Sequence, residues 1–312
     1  MARGTGARSQ LAAAFETVYG TPPASGFFQM PFANDNVGSE QPLLDNELLG
    51  FGRDPLAPVK DAITVGGDIT VPIDAESWGV WLKGAFGDPT TTGAGPFDHE
   101  FQSGGVLLPS LALELGIPEV PHYAMSAGCA VDQISWQMQR TGNVTATVSL
   151  IGQGETKAAT SQAGTLSAFA LKRFGSFNGS ISRAGSALGN VVSAQITYAN
   201  NLDPVETIRN DGKIEGVDPG IAALTGNVVV RFANQTLLDQ AINGTDTEFQ
   251  FDYLLGSGEN FNLTAHSVFL PKPKIEVTGP GGIEATFDWQ AALDSVTGRM
   301  CTATLTNDVS GY

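Results

Sequence analysis

Residues 130–151 read AVDQISWQMQRTGNVTATVSLI, and the alternation within them decides the fold class. Ile134, Trp136 and Met138 point one way, and Gln133, Ser135, Gln137 and Gln139 point the other. A period of two belongs to an extended strand with one dry and one wet face. Thr141-Gly142-Asn143 supplies a turn, after which Val144, Ala146 and Val148 alternate with Thr145, Thr147 and Ser149. The spacing predicts a β-hairpin whose wet face carries amides and hydroxyls, where solvent-facing strands ordinarily carry Lys and Glu.

A similar pattern stands near the C-terminus. Ile283, Ala285, Phe287 and Trp289 alternate with Glu284, Thr286, Asp288 and Gln290, and Cys301 to Thr306 follow after a turn. Ser135-Trp136-Gln137 recurs as Asp288-Trp289-Gln290, and Thr145-Ala146-Thr147 as Thr302-Ala303-Thr304. This predicts one hairpin made twice.

The intervening chain repeats in the same order. In the first half, strands are predicted at Phe27 to Phe32, Val65 to Ile73 and Val106 to Leu115. After the second of these, Asp74 stands as a helix cap, and Trp78, Trp81, Leu82 and Ala85 fall on one helical face that Gly87 ends. In the second half, Gly226-Asn227-Val228-Val229-Val230 matches Gly67-Asp68-Ile69-Thr70-Val71. Asn234 stands at the cap position, Leu237, Leu238, Ala241 and Ile242 form the buried stripe, and Gly244 is the stop. Matches in one order at a near-constant offset point to internal duplication. The expected division is an arm at 1–25, with a short helical turn around Leu11 to Phe15, a first unit at 26–155 and a second at 156–312.

Composition agrees with a β-rich chain: only 15 % of residues are charged, and Gly numbers 38 among 312. The net charge is −16, with 17 acids against 7 bases in residues 1–159 and 15 against 9 in the remainder. Gripping nucleic acid requires clustered Lys and Arg, and no such cluster exists. No apolar run approaches the roughly 20 residues of a membrane-spanning helix. The N-terminal apolar run of about five residues is short of a signal peptide.

The search for chemistry is mostly negative. His99, His122 and His266 are far apart and read as loop or surface residues, with no spacing for zinc. Ala124-Met125-Ser126-Ala127-Gly128 resembles a nucleophile elbow but precedes a strand, so Ser126 reads as a turn residue. Asp35, Glu40, Asp45 and Glu47, and the run from Asp211 to Asp218, read as solvated acidic loops without calcium-loop spacing. Cys129 and Cys301 read as small apolar residues of a reducing compartment. Trp78, Trp81, Trp136 and Trp289 read as core. Neither catalytic residues nor a metal or cofactor site is expected.

Three stretches carry a family likeness: Phe15-Glu16-Thr17-Val18-Tyr19-Gly20-Thr21-Pro22, Gly67-Asp68-Ile69-Thr70-Val71-Pro72 leading into Trp78 to Gly87, and Phe269-Leu270-Pro271. In these the chain resembles the tail tube (major tail) proteins of long-tailed bacteriophages, over most of its length. The resemblance implies a mainly β fold, here two tandem β-sandwich or barrel units, each flanked by a short α-helix. It implies a structural virion protein, not an enzyme, assembled in the host cytoplasm into stacked rings around a channel for DNA. Partners implied are further copies of itself and the length-measuring, terminator and tip proteins of the tail. DNA would transit without specific binding.

On this reading Gln133, Ser135, Gln137, Gln139, Glu284, Thr286, Asp288 and Gln290 line the lumen, and Trp78, Trp81, Leu82, Leu237, Leu238 and Ala241 form the core faces of the two helices. A duplicated chain would close a trimeric, pseudo-six-fold ring, with hexameric rings as the other arrangement. The 1–25 arm would join successive rings. The rival reading is a secreted or outer-membrane β-protein, an adhesin or porin, against which the absence of a signal peptide and of an aromatic girdle weighs. A polysaccharide-acting enzyme would need two facing carboxylates, and nothing selects a pair.

Overall fold

The computed structural model describes residues 3–45, 48–276, 279 and 281–312. The chain is mainly β, with two short α-helices. The principal elements are β1 (Gln10–Phe15), β2 (Phe28–Met30), β3 (Thr64–Pro72), α1 (Trp78–Phe86), β4 (Phe97–Gln102), β5 (Leu111–Ile117), β6 (His122–Gln139), β7 (Thr145–Gly152) and β8 (Gly154–Ala158). The second half supplies β9 (Gly179–Arg183), β10 (Val191–Ala199), β11 (Ala223–Arg231), α2 (Thr236–Asn243), β12 (Thr247–Leu254), β13 (Asn260–Phe269), β14 (Glu284–Ala292) and β15 (Cys301–Asn307).

Six of these strands make one antiparallel sheet in the order β3-β7-β6-β10-β11-β14. Alternation along each strand gives this sheet a dry face of Ile134, Trp136, Val148, Ile196, Val228, Phe287 and Trp289, all buried. A second sheet, β9-β12-β13-β15-β4, covers that face. Its aromatic side chains meet those of the first: Phe261 lies 5.9 Å from Trp136, and Phe251 stacks on Trp289 at 5.6 Å between ring centroids. The result is a β-sandwich with open sheets. Burying each large apolar side chain contributes about 1.5–3 kcal/mol, which makes this interface the main source of stability. The two sheets join at one corner, where Ser267 to Phe269 pair with Ala292 to Gln290.

A smaller sheet, β8-β6-β5-β1-β2, extends from the lower end of the first. Strand β6 serves both sheets and bends between them at Gly128, whose φ of 66° suits glycine. A Cβ there would come within 2.8 Å of the Gln153 side chain. The Gly128 N–H donates to Glu16 Oε1 at 2.9 Å, pinning the bend to the residue that follows β1.

This sheet corrects the expectation of a helical turn near the N-terminus. Leu11 to Phe15 lie in a strand, not a helical turn, and Leu11, Ala12, Ala13 and Ala14 are buried between β5 and β2. Small residues suit a strand packed closely on both faces, and this tertiary context outweighs their helix propensity. The strand expected from Phe27 to Phe32 is confined to Phe28–Met30, and that expected from Val106 to Leu115 runs instead from Leu111 to Ile117, with Val106 and Leu107 exposed.

The second predicted hairpin is also corrected. β14 pairs with β11 and the end of β13, whereas β15 pairs with β13 and β4. Residues 293–300 therefore cross from one sheet of the sandwich to the other. Their alternation was legible, but period alone does not choose a partner.

Helix α1 follows β3, and α2 follows β11. Asp74 accepts from the backbone N–H groups of Glu76 and Ser77, both at 2.8 Å, so it braces the turn before α1 and not the helix's own first turn. Burial raises the Asp74 carboxyl pKa, with hydrogen bonds from Ser77 opposing the shift. Trp78, Trp81, Leu82 and Ala85 are buried, but so are Gly79, Val80 and Phe86. Tyr312 lies against Gly79, where a Cβ would meet its ring at 2.1 Å, and Phe86 stacks on Tyr198 at 4.2 Å. In α2, Leu237 and Ala241 are buried and Leu238 packs against the core, but Ile242 is exposed. Gly244 ends the helix in the left-handed conformation.

Residues expected on the surface also proved structural. His99 is buried on β4, bonded to Thr91 Oγ1 at 2.9 Å, Asn307 Oδ1 at 3.1 Å and the Val309 carbonyl at 2.8 Å. His266 is half-buried on β13 beside Thr302, and His122 opens β6. Ser126 is buried within β6, not in a turn.

Candidate assembly face

The outward face of the six-stranded sheet is continuous and wet. One row of directly opposed residues reads Thr70, Thr147, Ser135, Thr197, Thr225 and Gln290 from edge to edge. The next reads Gln137, Gln195, Asn227 and Asp288, and another Gln139, Ser193, Val229 and Thr286. Asp68, Ser149 and Gln133 form a further row. The residues singled out on β6 and β14 thus share one surface, three strands apart, while Trp136 and Trp289 point into the sandwich at 6 % and 2 % exposure.

Charge on this face is sparse. Arg231 Nη2 pairs with Glu284 Oε1 at 3.2 Å, and Ser149 donates to Asp68. Asn227 Nδ2 donates to Gln195 Oε1 at 3.5 Å. The sequence reading missed the contributions of β10 and β11. Ser193, Gln195 and Thr197 alternate with Ala194, Ile196 and Tyr198 in the same amide-and-hydroxyl pattern, a signal that was present. On β11 the outward Val229 breaks the pattern, so no period marks its face.

The edges of the sheet differ. From Glu284 to Trp289, β14 is hydrogen-bonded on one side alone among the described residues. At the other edge, short strands at Asn34–Asp35 and Gly38–Glu40 flank β3. An unpaired run of backbone N–H and C=O groups is a template for another strand.

Beneath the face, Lys172 ties the connection between the halves to the sandwich. Its Nζ lies 2.9 Å from Glu76, 2.9 Å from Glu259 and 2.7 Å from Asp308. Hydrogen bonds to Asp308, Glu259 and Glu76 raise the lysine pKa. The Ser257 hydroxyl, followed by Lys172, lowers that of Glu259 to about 2.

Among the acidic residues, Asp211 pairs with Arg209 at 2.9 Å, and Asp35 accepts from the Val37 N–H. Glu47 lies outside the described residues. No three His, Cys, Asp or Glu side chains among the described residues are grouped to hold a metal ion. Cys129 and Cys301 are buried free thiols, and burial raises both, Cys301 to about 12.

The sequence profile of the phage tail tube protein family matches residues 6–291. The chain belongs to the phage tail tube protein family. It is therefore a structural component of the virion tail, and the family assembles with copies of itself and other tail proteins into a tube. No curated protein matches the sequence. Nothing in the match favours an adhesin or porin, and no helix among the described residues is long and apolar enough to cross a membrane.

Proposed function

We propose that this tail tube protein closes rings by joining the β14 edge of one molecule to the side of the next where the short strands Asn34–Asp35 and Gly38–Glu40 flank β3, with the wet face inward. The observation that carries this reading is the continuous amide-and-hydroxyl face, backed by a dry sandwich and bounded by an edge open from Glu284 to Trp289. Ring closure would satisfy that edge, as barrel closure does. Gln133, Ser135, Gln137, Gln139, Glu284, Thr286, Asp288 and Gln290 would then line the channel. Gln195, Thr197, Thr225 and Asn227 join them. The acids Asp68, Glu284 and Asp288 outnumber Arg231 on this face, so the wall repels phosphate and DNA passes without being held.

The ring is proposed as trimeric with pseudo-six-fold symmetry, each chain contributing two units, 26–155 and 156–312. Both β3 and β11 run to the same end of the long sheet, lead into a helix, and are followed by a strand of the opposite sheet, β4 or β12. That shared path supports duplication. Native mass measurement of a single ring tests it: three chains of 32.5 kDa are expected. Six chains, with the second unit outside the channel, would replace the trimer. Filaments without a central hole in negative-stain images would sink the reading altogether.

A further inference from the structure

A cavity of about 260 Å³ lies between the turn after β9, the end of β11 and the start of α2. Leu237 and Phe287 give it an apolar lining, and Arg183, Arg231, Asn190 and Thr236 a polar one. Among the described residues no Asp or Glu lines it. The chain carries 32 acids against 16 bases, so two guanidinium groups and no carboxylate around one cavity run against its composition. Such a lining suits an anion.

Arg183 is half-buried and makes no ion pair among the described residues. Its Nη1 donates to Gln240 Oε1, and Gln240 Nε2 donates in turn to the Asp246 carbonyl at 2.9 Å. Neutral groups therefore hold the guanidinium in place and leave its charge without a counter-ion. A charge drawn part-way out of water is stabilised by an opposite charge beside it. At the end of β11, Arg231 Nη2 reaches the partly exposed Glu284, and the Arg231 backbone N–H donates to the Asn190 carbonyl at 2.8 Å. That bond ties the turn after β9 to β11. The turn contains two non-glycine residues in the left-handed region, Ala184 at φ 47° and Asn190 at φ 63°. Such backbone persists only where its surroundings impose it, and it gathers at ligand sites.

We infer that this cavity binds a small tetrahedral oxyanion of the phosphate class, clamped between Arg183 and Arg231. A guanidinium presents paired N–H donors that match phosphate oxygens, and the Asn190 amide and Thr236 hydroxyl add neutral donors. The cavity is smaller than the roughly 300–1,000 Å³ of a drug-sized site, which favours a free anion over a nucleotide. A bound anion joins the ends of β9 and β11 to α2, the less deeply buried of the two helices. This site stands apart from the ring reading above.

The test is calorimetric titration of the full, unpolymerised chain with inorganic phosphate, the ionic strength held constant with chloride. Saturable binding of one phosphate per chain is expected. Arg183→Gln should weaken it about tenfold or more. Arg183→Lys keeps the charge but loses the planar fork, and its affinity should fall between the two. Arg231→Gln should also weaken binding, which keeps the site readable should Arg183→Gln fail to fold. No saturable binding to the wild type would overturn the site. So would equal affinity in the wild type and the glutamine variants. A short thymidine oligonucleotide that binds more tightly than inorganic phosphate, and loses that binding in the same variants, would make the nucleic-acid backbone the occupant and overturn the free anion.

Discussion

Gln137 lies directly opposite Gln195, and at that pair the first half of the chain is hydrogen-bonded to the second within one sheet. Neither half owns the wet face. The seam runs from Gln133 against Ala199 to Gln139 against Ser193, through the middle of the six strands.

Making that seam cationic should change how the tube treats DNA. Gln137→Lys with Gln195→Lys should still polymerise, because both positions are exposed. Tubes of the variant should retain DNA at low salt and release it as salt rises, while wild-type tubes retain none. Co-sedimentation across a salt series is the measurement. Equal retention by both would place these residues away from the DNA path.

Trp136 anchors the sandwich from the sheet's dry side, edge-on to Trp78 at 6.4 Å and tilted against Phe261. Trp136→Ala should destabilise by about 3–5 kcal/mol. Its indole N–H has no hydrogen-bond partner among the described residues, so Trp136→Phe should cost distinctly less. Urea unfolding of unpolymerised protein would measure both, and equal losses would contradict an unpaired indole N–H.

Asn307 joins β15, the α1 turn and the C-terminal residues. Its Nδ2 donates to the Ala75 carbonyl and to the Tyr312 hydroxyl, each at 2.6 Å, and its Oδ1 accepts from the Val309 N–H at 2.9 Å. Removing a partner from buried polar groups costs about 1–3 kcal/mol per group left unpaired. Asn307→Ala should therefore lower thermal stability more than Thr306→Ala, its half-exposed neighbour. Differential scanning calorimetry of the two variants decides the point.

The Glu259–Lys172 contact sets an acid limit. The folded state holds the Glu259 pKa at about 2, below the usual carboxylate value, so its contribution is present above about pH 4 and is lost as pH falls towards 2. The stability advantage of wild type over Glu259→Gln should be constant from pH 5 to 7 and shrink below about pH 4. Melting temperatures across that range would show it. An advantage that persists undiminished at pH 2 would contradict the assignment.

Deleting residues 1–25 removes β1, which lies between β5 and β2. The shortened chain should be insoluble or unfolded, as judged by circular dichroism. Soluble, folded protein would show that the small sheet is dispensable.

The alternating strands were legible because each has one face in a dry sandwich and one in water, as Ile134 to Gln139 shows. Both helices were legible from their apolar spacing and terminal glycines. Strand pairing was not: β14 and β15 lie on different sheets although they are consecutive. β1 escaped notice because four of its six residues are buried in a row, which erases the period of two. His99 was misjudged because two of its partners, Asn307 and Val309, come from a segment more than 200 residues away in sequence.

The outward residues Gln133, Ser135, Gln137 and Gln139 carry no charge, whereas Glu284 and Asp288 do. In an assembly of identical single-copy subunits, one codon change alters every stave of the wall at once. In the proposed two-unit ring, two fused staves would free each other to drift: one could stay neutral while its sibling accumulates acid. The electrical profile around the proposed bore would then alternate, a corrugation that no strictly symmetric ring of identical staves can acquire.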